Sequence, residues 1–346
     1  MFVSIRPRKV KTMYRLLLTA IALLLLTGGG MAAPYAPPAQ ATDTLSADWR
    51  DARRNRTVPV KIYYPKGEGR FPVVLFSHGL GGSREGYGYL GSYWAGRGYV
   101  AVHLQHIGSD ETMLRDVSRD NPGGNADRLR SGAAQRGITL QTVRDRPLDV
   151  SFAIDELQRL DKDKKWPLQG KLDFTRIGLG GHSFGANTTL LISGMRLGGG
   201  AIDFRDPRVK CAVVLSAPPP QGRDLDAIYG SIKIPLWHMT GTLDTSPIDP
   251  KGSRAIDRRI PYDRIKGTDG YLTTFTGGDH MVFSGRERNT GPLPTDARNH
   301  ELIQQSTLAF WDAYLKGDTK ALGWLRGEYG KELGKSGVFE FKRKNE

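Results

Sequence analysis

The reading of this chain turns on Thr175-Arg176-Ile177-Gly178-Leu179-Gly180-Gly181-His182-Ser183-Phe184-Gly185. The first half reads as a buried strand, and Ala186 to Arg196 beyond it reads as a helix. Between them sits a G-x-S-x-G pentapeptide, Gly181 to Gly185. A serine at so sharp a strand-to-helix turn has its hydroxyl lifted clear of the sheet. Side chains on either flank would collide, which accounts for Gly181 and Gly185. The helix that follows aims its positive N-terminal end at the place where negative charge would develop. In a chain with 43 glycines the pentapeptide alone carries little weight, so the surrounding segments decide.

Working outward, Phe71 to Phe76 is a short continuous apolar run that stops at Ser77-His78-Gly79, as a fully buried strand would. Thr57 to Tyr64 alternates, with Val58, Val60 and Ile62 on one face, and suggests an early antiparallel strand. Glu85 to Arg97 reads as helix and Gly98 to Leu104 as the next strand. From Pro147, the apolar residues Val150, Ala153, Ile154, Leu157 and Leu160 recur at helical spacing. Strands at Val209 to Leu215, Ile234 to Met239 and Tyr271 to Phe275 follow, and a helix near Ala297 to Leu315 closes the core. Alternating strands and helices imply an α/β fold with a mostly parallel central sheet and helices on both faces. Residues 1–41 read as a leader and lead-in, with residues 33–48 flexible; 42–330 form one domain, and 331–346 a basic tail. The stretch from His106 to Arg146 reads as long and irregular, with seven Arg against five Asp and one Glu. Its length suggests a cap-like loop over the substrate site, a solvated loop being the rival reading.

The 346 residues carry a net charge of +14. Five of those charges, Arg6, Arg8, Lys9, Lys11 and Arg15, precede an eleven-residue apolar run from Leu16 to Leu26. That run is short for a membrane span and suits a signal sequence, with Gly30-Met31-Ala32 or Ala39-Gln40-Ala41 as cleavage sites. The expectation is a periplasmic or secreted protein, with an uncleaved anchor as the alternative. The remaining basic excess suits weak association with an anionic membrane surface. No basic stripe interleaved with aromatics is present, so no nucleic-acid partner is expected. Cys211, the single cysteine, excludes an internal disulfide and a cysteine-rich metal site. Gly178 to Ser183 matches a dinucleotide fingerprint poorly, since Ser183 stands where the third glycine belongs. The pair His103 and His106 lacks a third ligand at metal spacing. Neither cofactor nor metal is expected.

A serine hydroxyl needs an imidazole to take its proton and a carboxylate to orient that imidazole. With the chain order nucleophile, acid, base, the candidates lie downstream of Ser183. His238 falls inside a strand and His300 inside a helix, whereas His280 follows the last strand in a glycine-rich turn. His280 is therefore the expected base. Asp244, just past the strand that ends at Met239, is the expected acid, with Asp249 in reserve; Asp279 reads as a turn residue. The oxyanion needs two aimed donors. Phe184 N–H, next to the serine, and Leu80 N–H, in His78-Gly79-Leu80-Gly81-Gly82, are the expected pair, with His78 supporting that turn. Trp237 and Met281 are candidate substrate-binding residues, beside Leu80 and Phe184.

Four blocks carry a family resemblance: Val73 to Arg84, His106 to Asp110, Arg146 to Val150, and Gly181 to Gly185. Across roughly residues 57–316 the chain resembles the α/β-hydrolase superfamily. Within it, the chain is similar to bacterial predicted dienelactone hydrolases and platelet-activating-factor acetylhydrolase-like esterases. In the plasma-type acetylhydrolases the acid follows the strand after the nucleophile helix. Here that place reads Leu215-Ser216-Ala217-Pro218, without a carboxylate; Asp244, one strand later, matches cutinase-like polyester hydrolases. The expected activity is that of an exported serine hydrolase cleaving small-molecule or lipid carboxylic esters through an acyl-enzyme, without a cofactor. Lipid or acetyl esters, polyesters, lactones and amides are alternative substrates. A non-catalytic binding protein on the same scaffold is the reading from a different class.

Overall fold

The computed structural model describes residues 33–219, 224–246, 248, 254–285 and 291–344. The apolar leader and Asp249 lie outside the described residues. The strands are β1 (Thr42–Asp51), β2 (Arg56–Pro65), β3 (Phe71–Ser77), β4 (Val100–Leu104), β5 (Leu172–His182), β6 (Arg196–Leu197), β7 (Ile202–Asp203), β8 (Val209–Leu215), β9 (Leu236–Leu243), β10 (Gly270–Asp279) and β11 (Gly337–Lys342). The helices are α1 (Gly88–Ala95), α2 (Glu111–Asp120), α3 (Ala126–Gly137), α4 (Leu140–Leu160), α5 (Phe184–Ser193), α6 (Leu225–Tyr229), α7 (Ile260–Arg264), α8 (Asp296–Leu315), α9 (Thr319–Gly327) and α10 (Tyr329–Leu333).

Among the described residues the main sheet runs β1-β2-β4-β3-β5-β8-β9-β10-β11, with β6 and β7 paired apart from it. From β4 to β10 every neighbouring pair is parallel. The edges are antiparallel, β1 and β2 on one side and β11 on the other. The period-two geometry of a strand divides β3 between two cores. Val74 and Phe76 face a cluster with Trp94 of α1 and Phe310 and Trp311 of α8. Val73 and Leu75 face the opposite cluster, with Val150, Ile154 and Leu157 of α4. Helices thus cover both faces of a mostly parallel sheet, as the alternation of elements implied.

Three expectations are corrected. The stretch from His106 to Arg146 is helical: it holds α2, α3 and the first turns of α4. Both helices are amphipathic with a meagre apolar side; α2 buries Met113 and Val117, and α3 buries Ala133 and Gly137. So few large apolar residues leave almost no periodic signal. The second correction is that α4 starts at Leu140, not Pro147. Thr139 caps it, its hydroxyl accepting from Thr142 N–H. Pro147 sits inside the helix, where it costs one backbone bond without ending the helix. Third, both chain-end segments join the sheet. Residues from Thr42 belong to β1, paired along β2 for its whole length, and the expected basic tail contains β11. There Phe339 and Phe341 alternate onto the core beside Tyr271.

Candidate active site

The central strands end on one edge, and the singled-out residues gather there. β5 runs into Ser183, whose backbone takes φ 56 and ψ −116, and α5 starts at the next residue. A non-glycine residue at such angles is strained. The packing that enforces it also requires the two glycines: a Cβ at Gly181 would lie 2.3 Å from the Gly185 carbonyl oxygen, and one at Gly185 would lie 1.9 Å from that of Ser77. The Ser183 N–H is held by the Leu215 carbonyl at 2.9 Å, anchoring the turn to β8.

His280 follows β10, and its Nε2 lies 3.0 Å from Ser183 Oγ. On its other side Nδ1 lies 2.9 Å from Asp244 Oδ1, just after β9. Asp244 is fully buried and saturated with donors. Ser216 Oγ donates to Oδ1 and Thr240 Oγ1 to Oδ2, both at 2.8 Å. Arg258 Nε sits 3.0 Å from Oδ1 and donates to the Asp244 carbonyl at 2.9 Å. Burial alone would raise the Asp244 carboxyl. The His280 hydrogen bond, the Arg258 charge and the Ser216 hydroxyl together hold it below the usual carboxylate range. Asp279 accepts from Met281 N–H and Val282 N–H at 3.0 Å each, as a turn residue should. His238 is buried on β9, and His300 on α8 donates to the Val282 carbonyl at 2.7 Å, steadying the His280 loop.

The loop after β3 faces this cluster. Gly81 N–H donates to the Ser109 carbonyl at 2.9 Å and Gly82 N–H to the Gly79 carbonyl at 3.0 Å. Phe184 is the first residue of α5, so its N–H has no carbonyl one turn back. His182 and Tyr87 tie the loops together. His182 Nε2 lies 3.0 Å from the His280 carbonyl, which only accepts, so Nε2 carries the proton. Burial holds His182 well below its ordinary pKa, hence neutral. Its Nδ1 therefore accepts from Tyr87 O–H at 2.8 Å, and Tyr87 in turn accepts from Gly79 N–H at 3.2 Å.

A cavity of about 250 Å³ opens in front of Ser183 and His280. Its walls include Leu80 and Met281, and Leu114, Leu129, Arg130 and Ala133 from α2 and α3. The helical cap thus forms one wall. Leu80 packs with Met113, Val117 and Ala133 in a small apolar cluster of its own. Trp237 is the corrected assignment: it is wholly buried in the sheet core, its indole N–H donating to Thr273 Oγ1 at 3.1 Å, and it does not line the cavity. It points inward from the second residue of β9, at the end of the strand away from the rim, whereas only residues past the other end reach the rim. The Phe184 ring is likewise buried, under the Arg146 guanidinium. Sequence reasoning missed Ser216, Arg258, Tyr87 and Arg146. Ser216 had a local signal, its place directly after β8, and Arg146 opens a block that carries the family resemblance; Arg258 arrives through tertiary packing alone.

Comparison with known proteins gives one direction. Residues 54–219 match the family model described as platelet-activating factor acetylhydrolase, isoform II. That segment contains the Leu80 loop and Ser183; Asp244 and His280 lie beyond it. Among curated proteins, the platelet-activating factor acetylhydrolase of Cavia porcellus is 26% identical over 291 residues, covering 77% of this chain and 63% of that protein. The protein of the same name from Canis lupus familiaris is 27% identical over 259 residues, covering 68% and 53%. The chain therefore spans less than two thirds of these relatives' length. It resembles this α/β-hydrolase-type esterase family, in agreement with its motif blocks and its sheet.

Proposed function

We propose that this chain, an α/β-hydrolase-fold relative of the platelet-activating factor acetylhydrolases, is a serine hydrolase that cleaves carboxylic esters through an acyl-enzyme. The observation that carries the reading is the continuous hydrogen-bond chain Ser183–His280–Asp244, at 3.0 and 2.9 Å, beside a cavity. In the first half-reaction Ser183 Oγ attacks the ester carbonyl carbon and its proton passes to His280 Nε2. The C–O bond to the alcohol then breaks, and the alcohol leaves with that proton. Water repeats the sequence on the acyl-enzyme and releases the carboxylic acid. Asp244 keeps Nδ1 protonated and stabilises the imidazolium, while the Leu80 and Phe184 amides hold the oxyanion.

The small, largely apolar cavity and the names of the relatives favour an acetyl or other short acyl group, on a lipid or a small alcohol. The leader-like start of the sequence favours an exported protein, which detection of the processed chain outside the cytoplasm would test. For the activity, p-nitrophenyl acetate, butyrate and octanoate, assayed with and without detergent, should show turnover that falls with acyl length. Ser183→Ala should abolish both turnover and labelling by a fluorophosphonate. A wild-type protein inert to all three esters and unlabelled would overturn the reading.

A further inference from the structure

The two amides assigned to the oxyanion lie on separate elements, the loop after β3 and the first turn of α5. One side chain reaches both. Arg146, from the second turn of α4, is wholly buried. Its Nε donates to Thr188 Oγ1 on α5 at 3.0 Å. One terminal nitrogen donates to Ser109 Oγ at 2.9 Å, and the other to Ser77 Oγ at 3.1 Å and to the His78 carbonyl. The guanidinium also lies over the Phe184 ring, 4.4 Å from its centroid. Ser109 passes the constraint on, since its carbonyl accepts Gly81 N–H. The loop is thereby tied on both sides of Leu80, at His78 and at Gly81, while α5 is gripped at Phe184 and Thr188. Each of these partners is a hydroxyl, a carbonyl or a ring; none is a carboxylate. Stripping water from a cation without giving it a contacting anion is unfavourable for stability, and an apolar side chain of similar volume would often serve the core better. What the guanidinium supplies that an apolar chain cannot is several fixed donor directions at once.

We propose that Arg146 is the positioning residue of the oxyanion hole, setting the Leu80 and Phe184 amides at the mutual spacing that a tetrahedral oxygen requires. The inference rests on the ester-hydrolase reading. It makes the transition state, more than substrate binding, the stage at which loss of Arg146 is felt.

The test uses the full chain with Arg146→Met, Arg146→Lys and Ser109→Ala, assayed on p-nitrophenyl butyrate. Active sites are counted by end-point fluorophosphonate labelling, so that misfolded protein does not enter the rate. Per labelled site, Arg146→Met should lower kcat about 10- to 100-fold with KM within about threefold, because the donors are displaced and not deleted. The inhibition constant for phenylboronic acid, whose adduct on Ser183 is tetrahedral, should rise by the same factor. Arg146→Lys should recover part of both losses, and Ser109→Ala should show a smaller loss of the same pattern. If kcat per labelled site and the boronate constant stay within about twofold of wild type in Arg146→Met, the inference is overturned; should that variant not fold, the same result in Arg146→Lys and Ser109→Ala overturns it. In both cases an active wild type and a dead Ser183→Ala leave the hydrolase reading standing. An inert wild type overturns both.

Discussion

Two serines in this molecule sit at the head of the same hydrogen-bond chain. Ser183 meets His280 Nε2 at 3.0 Å, with Asp244 on Nδ1. Ser77 meets His106 Nε2 at 2.9 Å, and His106 Nδ1 meets Asp149 Oδ2 at 3.0 Å. The first set borders a cavity; the second is sealed, Ser77, His106 and Asp149 all being completely buried. Burial and the Arg146 charge pull His106 down to about 4, so it is neutral and donates from Nδ1. Burial would raise Asp149, but the hydrogen bonds from His106 and Arg56 and the Arg56 charge hold it low. Ser77 Oγ also accepts from Arg146, so a lone pair needed for attack is already engaged. Residue order along such a chain therefore does not make a nucleophile. Attack also asks for access by a carbonyl carbon, and of these two sets the rim one borders a cavity.

The contrast can be broken most decisively by exchanging the serines. Ser183→Ala should lower kcat by about 10⁴- to 10⁶-fold with little change in melting temperature. Ser77→Ala should leave measurable turnover and lower stability by roughly 1–3 kcal/mol, because His106 and Arg146 lose a shared partner. Denaturant titration and steady-state kinetics on both variants decide it; equal kinetic losses would erase the distinction. The carboxylates sharpen it. Asp244→Asn should cost about 10⁴-fold in kcat. Asp149→Ala should instead cost roughly 3–5 kcal/mol of folding stability, since Arg54, Arg56 and His106 would be left around an uncompensated site.

A pH series tests the sealed state more gently. Burial lowers His103 and His106 to about 4 and His238 to about 3, and holds His182 well below its ordinary value. These folded-state values lie below the unfolded value near 6.5, so below that pH the unfolded chain binds more protons. Stability should be flat above about pH 6.5 and fall toward pH 4, by about 1.4 kcal/mol per pH unit for each such histidine. A melting temperature unchanged between pH 6.5 and 4.5 would show that these rings are not sealed. The smallest expected effect is at the cap: Leu114→Ala should shift KM for longer acyl chains a few-fold and leave acetyl ester kcat near wild type, because it enlarges a wall that the smallest substrate does not need.

What sequence made legible follows from how local each signal is. The Ser183 turn is dictated by its own neighbours, and the residues after β9 and β10 are placed by the topology of a parallel sheet, so positions 183, 244 and 280 meet where chain order puts them. Trp237 was misread because a strand sequence does not state which residue is its last buried one. The cap helices were invisible because their packing surface is little more than Met113, Val117 and Ala133. Arg258 and Arg146 lie 14 residues from Asp244 and 37 from Ser183, and no local pattern in either segment announces a distant carboxylate or hydroxyl as its partner.

The side chain of Leu80 sits among the apolar residues of α2 and α3, while its backbone belongs to the loop that faces Ser183. One residue therefore fastens the helical wall of the cavity to the loop that, in the proposed reaction, would have to tolerate negative charge. A small apolar compound that wedged itself between those two helices would shift that fastening and silence turnover while never touching the serine. Remodelling that wall for a bulkier substrate would succeed only where the seat of this leucine is left intact.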